Sequence, residues 1–207
     1  WGEIVKRSNK IITLYDLAGH QRYRKITIQG IAGCQTDACI VVIAGNKGLP
    51  SITKEHLHLC HAFNIPIIIV LTKIDMQYER KEVFKETMLQ IKQFIRSAPF
   101  YNTPLVIKNN NDILKVINLD ENKNIVPIFR VSNTTEEGMP ELKYFLNLLQ
   151  KNQPQEEDLY IEFRLDTIWN VKGIGLIIGG QLINGTITVG TKLSIGPILN
   201  SYKKIIV

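Results

Sequence analysis

Two runs constrain the fold of this 207-residue chain more than anything else in it: "CIVVIA" at 39–44 and "IPIIIVLT" at 65–72. Both are almost unbroken Val and Ile, with none of the alternation expected of a strand that has one wet face. They suit strands covered on both sides, as in parallel sheets flanked by helices. Between them, "SITKEHLHLCHAFN" sets Leu57, Cys60 and Phe63 on one helical face, with Ser51 or Thr53 available as cap. The same alternation of β-branched run and helical period predicts strands at 11–16, 38–44, 66–72 and 126–131, and further helices at 79–96 and 139–149. The fold class is therefore α/β, a parallel sheet with flanking helices.

Two polar stretches interrupt this pattern. "KNNNDILKVINLDENKN", at 108–124, reads as a surface insertion that buries too little to order itself firmly. "QKNQPQEED" reads as a linker at 151–158, closing a first domain over 1–150. Beyond it the helical period disappears, and "LYIEFRLDTIWNV", "GLIIGGQLINGTITVG" and "TKLSIG" read as strands of a partial all-β barrel over 159–207. Asn184-Gly185 signals a two-residue hairpin turn of type I′, and Gly190 and Gly196-Pro197 signal further turns.

No apolar run approaches the roughly 20 residues that span a bilayer. No membrane partner is expected. The three cysteines, Cys34, Cys39 and Cys60, lack Cys-x-x-Cys spacing and sit in apolar segments, which fits a reducing, cytoplasmic setting better than a disulfide framework. A net charge of +6 favours approach to a polyanion such as RNA, but the basic residues are scattered rather than clustered.

Chemistry-bearing residues gather where predicted strands end. "LYDLAGHQRY" sets Asp16, Gly19 and His20 after the first run. A carboxylate there can hold magnesium through water, and a glycine amide can approach a terminal phosphate. "TKID" places Thr72, Lys73 and Asp75 after the third run. The Asp75 carboxylate can accept two hydrogen bonds from the ring and exocyclic nitrogens of guanine, while the Lys73 stem packs on the purine face. Ser132-Asn133 ends the fourth run, where an amide or hydroxyl can reach the guanine carbonyl oxygen. Each match is weak alone; three in this order, each at a strand end, are specific.

In that order "DLAGH", "TKID" and "SN" resemble the GTPase domain of translational GTPases related to elongation factor Tu. The resemblance implies a P-loop-type GTPase fold that takes GTP or GDP with Mg2+. Asp16 then serves the metal, Gly19 senses the γ-phosphate, and His20 is the catalytic residue that orients the hydrolytic water. Thr72, Lys73, Asp75, Ser132 and Asn133 complete the nucleotide set, and "GHQRYRKITIQG" becomes a mobile switch segment. "VKGIGLIIGGQLINGTITVGTKLSIGP" separately resembles the β-barrel second domain of these factors. "SITKEHL", the Thr at 72 where Asn is more usual, Ser-Asn and "LKYFLNLL" resemble the branch called GTP-binding protein 1 and 2. The ribosome and an aminoacyl-tRNA or other RNA are the implied partners.

The departures bear on activity. The sequence contains no Gly-x-x-x-x-Gly-Lys-Ser/Thr loop to cradle phosphates, and no first switch segment with its magnesium-binding threonine. The chain is thus expected to start late in the GTPase domain and to stop partway into the barrel. Two functions stay open: a GTP hydrolase acting as a conformational switch in translation or ribosome-linked RNA handling, and a catalytically incompetent GTPase-fold module acting through protein or RNA contacts. Gly173-x-Gly175 precedes no predicted helix and so is not a dinucleotide fingerprint. His56, His58 and His61 are read as surface or packed residues rather than a metal cluster, because only His58 and His61 share a face.

Overall fold

The computed structural model describes residues 2–8, 10–33, 36–117, 124–149, 160–198 and 200–207. The chain divides into two compact units, Trp1–Asn152 and Gln153–Val207.

In the first unit, β1 (Cys39–Ala44), β2 (Ile67–Thr72), β3 (Thr103–Val106) and β4 (Ile125–Arg130) form one parallel sheet in the order β1-β2-β4-β3. Around it run α1 (Gly2–Arg7), α2 (Arg24–Gly33), α3 (Ser51–Ala62), α4 (Lys81–Arg96), α5 (Asn110–Leu114) and α6 (Met139–Leu148). Successive strand residues point to opposite faces. Ile67, Ile69 and Leu71 of β2 therefore join Leu57 of α3 and Ile91 and Ile95 of α4 in one core. Ile68 and Val70 join Ile113 of α5 and Phe145 of α6 in the other. Every β2 residue from Ile67 to Leu71 is buried, which is why its sequence carries no polar alternation.

The predicted strand at 11–16 does not form. Residues 11–19 take no regular structure, and Ile11, Ile12, Leu14 and Tyr15 are exposed. A β-branched run becomes a strand only when a neighbour supplies ladder partners, and no described strand pairs with this one. The sheet instead ends at β1, whose Val42 is 62% exposed. Lys10, just ahead of the run, donates to the carbonyl oxygens of Leu146, Asn147 and Leu149, placing a cation on the unpaired carbonyls at the end of α6.

Other local expectations also shift. α3 begins after Pro50 with no side-chain cap, since Ser51 is already helical and Pro50 supplies the extended residue before it. The first part of the Asn-rich insertion is ordered. Asn109 caps α5 by accepting from the Asp112 amide at 3.0 Å, and Ile113 and Val116 are fully buried in the second core. Those two apolar residues supply the anchorage that the polar composition concealed. Residues 118–123 of the insertion, the 151–158 linker and Cys34 lie outside the described residues.

The second unit holds two antiparallel hairpins, β5 (Glu162–Val171) with β6 (Gly175–Asn184), and β7 (Lys192–Ile198) with β8 (Ser201–Ile206). They stand as separate two-stranded ladders, so the described strands do not close a barrel. Asn184-Gly185 makes no hairpin turn: Asn184 pairs with Glu162 at the end of β6, and only Gly185 has positive φ. Gly196-Pro197 lies within β7, where the register shifts between Ile195 and Ile198. Gly173 turns β5 into β6, so Gly173-x-Gly175 belongs to an antiparallel hairpin. Gly180 is needed for a close approach, because a Cβ there would overlap the Arg164 carbonyl oxygen across the ladder.

Candidate nucleotide-binding site

The carboxyl ends of β1, β2 and β4 are held level by backbone bonds. The Gly45 amide donates to Thr72 O at 3.0 Å, the Val131 amide to Leu71 O at 2.8 Å, and the Ile74 amide to Val131 O at 3.4 Å. Open α/β sheets bind ligands along this edge. Immediately past β2, Lys73 adopts the left-handed region (φ 65°, ψ 35°) and turns the chain into a short 3-10 helix, Ile74–Gln77. Such a conformation costs a non-glycine residue about 1–3 kcal/mol and persists only where its surroundings enforce it. Buried Ile74 is the anchor that does so, and it leaves the Lys73 side chain exposed.

Asp75 follows, half-buried, and its Oδ1 accepts from the Ser132 hydroxyl at 2.6 Å. Ser132 is fully buried, and its Oγ also accepts from the amides of Thr134 and Thr135, each at 3.2 Å. One hydroxyl thus locks the carboxylate to the turn after β4. Among the described residues no hydrogen bond engages Asp75 Oδ2. Asn133 is exposed in that turn. Gly138 closes the turn at φ 74°, where a Cβ would overlap the Arg130 carbonyl oxygen. The Thr72 hydroxyl donates to Ile43 O at 3.3 Å, tying β2 to β1.

The second predicted cluster is built differently. Asp16, Gly19 and His20 are exposed in the irregular segment ahead of a 3-10 turn, Gln21–Tyr23, and α2. Buried Thr27 donates to Ala18 O at 2.6 Å, Leu17 packs against Gly30, and Arg24 pairs with Glu55 of α3 at 2.5 Å. His20 Nδ1 accepts from the Arg22 amide at 3.1 Å, an arrangement that leaves Nε2 as the protonated nitrogen of the neutral ring. A Cβ at Gly19 would meet nothing within 4 Å, so the space beside its Cα is open.

The structure brings Thr72, Lys73, Asp75, Ser132 and Asn133 to one edge. No hydrogen bond or ion pair joins Asp16, Gly19 or His20 to them among the described residues. The third strand tip at that edge is that of β1. There Asn46 donates to Met76 Sδ at 3.4 Å, while its own Oδ1 is buried without a partner. Sequence reading passed over Asn46, although "GN" directly after "CIVVIA" repeats the strand-then-polar signature of "TKID". It also missed Gly138, whose need for positive φ is visible only in the fold.

Residues 4–154 match the model of the elongation factor Tu GTP-binding domain. The chain belongs to that family. It is 35% identical over 197 residues to GTP-binding protein 1 of Xenopus laevis, covering 95% of this chain and 30% of that protein. It is 32% identical over 201 residues to human GTP-binding protein 2, covering 94% and 33%. Among solved structures, it superposes on translation elongation factor SelB of Methanococcus maripaludis, in complex with the GTP analogue GppNHp, with a TM-score of 0.62 and 25% identity, over 91% of this chain and 36% of that one. The chain thus spans about a third of the length of these relatives. The parallel sheet with flanking helices is that of a P-loop GTPase domain. The His58 and His61 rings pack on Phe100 at 5.1 and 4.9 Å between centroids. No helix among the described residues is long and apolar enough to cross a membrane.

Proposed function

We propose that the whole protein carrying this chain binds guanine nucleotide and hydrolyses GTP as a conformational switch in translation or ribosome-linked RNA handling. The observation that carries this reading is the Asp75–Ser132 bond at the carboxyl edge of the sheet. It holds a carboxylate in one orientation before any ligand arrives. Guanine presents a ring N–H and an exocyclic amine side by side, and a fixed carboxylate accepts both. Adenine lacks that pair of donors. The aliphatic stem of Lys73, exposed beside Asp75, covers the purine face.

His20 acts at the other end of the nucleotide. With Nδ1 occupied by the Arg22 amide, its Nε2–H is the group that positions the attacking water. The amide of Gly19, an exposed residue with no side chain of its own, serves the γ-phosphate. Asp16 offers one exposed carboxylate, which suits a magnesium ion that keeps most of its water and takes its other oxygens from phosphate. That ion, when bound, would neutralise charge developing on the phosphates. A ribosome and an aminoacyl-tRNA or other RNA are the proposed partners, on the strength of relatives named as elongation factors.

The test is a swap of base preference. In the whole protein, Asp75→Asn exchanges two acceptors for one acceptor and one donor, which matches xanthine. Competition binding with GDP and XDP is expected to show preference for XDP in the variant and for GDP in the parent. An unchanged preference overturns the assignment. A second, narrower reading concerns the 207 residues alone. Their sequence holds no Gly-x-x-x-x-Gly-Lys-Ser/Thr loop, so the strongest phosphate contacts are missing from them and they act as a binding module without turnover. Sub-micromolar GTP affinity of the isolated chain, measured by titration calorimetry, would refute this.

A further inference from the structure

The sheet order sets β2 between β1 and β4, so the turn that carries Asp75 has one strand tip on each side of it. From the β4 side, Ser132 holds Asp75 Oδ1. From the β1 side, Asn46 Nδ2 donates to the sulfur of Met76, the next residue, at 3.4 Å. Both ends of this second contact stand on fixed backbone. The fully buried Thr87 hydroxyl of α4 lies 3.0 Å from Gly45 O and accepts from the Gly48 amide at 3.2 Å, and Gln90 Oε1 accepts from the Leu49 amide at 3.1 Å, so the loop is pinned on both sides of Asn46. The Met76 amide donates to Lys73 O at 3.1 Å, and Met76 O accepts from the Arg80 amide at 3.2 Å.

Stability does not account for Asn46. A thioether is a weak acceptor, and Asn46 Oδ1 is buried with no partner among the described residues. A buried carbonyl left unsatisfied costs more than a bond to sulfur returns. Leucine, of similar volume, would keep the packing and remove the orphan. Unsatisfied groups of this kind call for a reason outside stability, and functional sites are where such local conflicts collect.

We propose that Asn46 is a positioning residue for base recognition: through Met76 it fixes the turn carrying Asp75, so that β1 and β4 grip the carboxylate from its two sides. This rests on the reading of Asp75 as the guanine acceptor. The Ser132 bond alone leaves a pivot at Oδ1; a tie one residue on, from the other strand, removes it. The consequence is discrimination. Guanine offers Asp75 two donors and hypoxanthine only the ring N–H, so a carboxylate free to tilt loses more of its hold on guanine than on hypoxanthine.

The test measures dissociation constants of the whole protein for GDP and for inosine diphosphate, which lacks the exocyclic amine. The parent is compared with Asn46→Leu, Met76→Leu and the double variant, and Asp75→Asn with XDP is the control. The preference for GDP over inosine diphosphate is expected to fall about fivefold in either single variant and no further in the double, while the thermal midpoint of Asn46→Leu does not fall. Equal weakening of both nucleotides, an unchanged ratio, or losses that multiply in the double variant overturn the proposal. If Asp75→Asn turns the preference to XDP while Asn46→Leu leaves the ratio intact, the base-reading role of Asp75 stands and that of Asn46 falls. If Asp75→Asn does not switch, both fall. Should Asn46→Leu fail to fold, Met76→Leu, which keeps the apolar packing and removes the acceptor, decides alone.

Discussion

Asp75 and His20 both stand a few residues past an apolar run, yet the run before Asp75 is buried from Ile67 to Leu71 and the run before His20 is exposed from Ile11 to Tyr15. Around Asp75, three strand tips share backbone bonds and one buried hydroxyl orients the carboxylate. Around His20, the tertiary ties are the Thr27–Ala18 bond, the packing of Leu17 on Gly30 and one ion pair. The difference divides the site by task. Recognition of a base rewards a rigid edge, because a preformed acceptor loses no freedom on binding. A group that must respond to a γ-phosphate is better placed where few contacts oppose its movement.

Rigidity at the first edge is the property easiest to break. Gly138→Ala puts a Cβ into the Arg130 carbonyl oxygen and forces an L-residue to φ 74°. A loss of about 3 kcal/mol in denaturant unfolding is expected. A loss below about 1 kcal/mol would mean that the turn behind Asp75 gives way as easily as the segment before His20. The opposite signature is expected at His20, which is exposed and, among the described residues, touches only its own turn, through the Arg22 amide and the edge of the Tyr23 ring. His20→Ala in the whole protein should slow single-turnover GTP hydrolysis about 100-fold and leave the thermal midpoint and GTP affinity in place. A fall in affinity instead would recast His20 as a structural residue.

Ser132→Ala sharpens the contrast, because it removes a bond while leaving the strands intact. Asp75 loses its orienting donor, and the amides of Thr134 and Thr135 lose their acceptor. Burial makes such losses expensive, so stability should fall by about 1–2 kcal/mol and GDP should bind about tenfold more weakly. The two readouts moving together is the informative outcome. Weaker folding with unchanged affinity would show that Asp75 finds its orientation from the ligand.

The edge around Asp75 was legible because its signals are local. "IPIIIVLT" and "CIVVIA" carry their burial in their composition, and the predicted strands at 38–44, 66–72 and 126–131 lie within about a residue of β1, β2 and β4. Thr103–Val106 was missed because it is four residues long, sits at the outer edge of the sheet and contains a proline. Residues 11–16 were misread for a different reason: β propensity describes a fit to a neighbour, and sequence alone does not say whether the neighbour is there. The Asn184-Gly185 hairpin failed likewise, since a turn residue cannot report whether the strand beyond it pairs. Ser132 reads in sequence as a contact for guanine, and the bond of its buried hydroxyl to Asp75, a partner 57 residues away, is visible only in the fold.

Leu14 sets the lower bound of the comparison. It is 73% exposed in the middle of the run that forms no strand. In the 207-residue chain, Leu14→Ser should change unfolding stability by less than about 0.5 kcal/mol, as for surface substitutions that remove no packing. The matching position in the other run is Ile69, fully buried between β1 and β4, where truncation to Ala should cost about 2–5 kcal/mol. If Leu14→Ser costs 2 kcal/mol or more, the segment before His20 is packed after all. Responsiveness to the γ-phosphate would then have to come from the turn after Gly19, because a buried strand would already fix Asp16 in place.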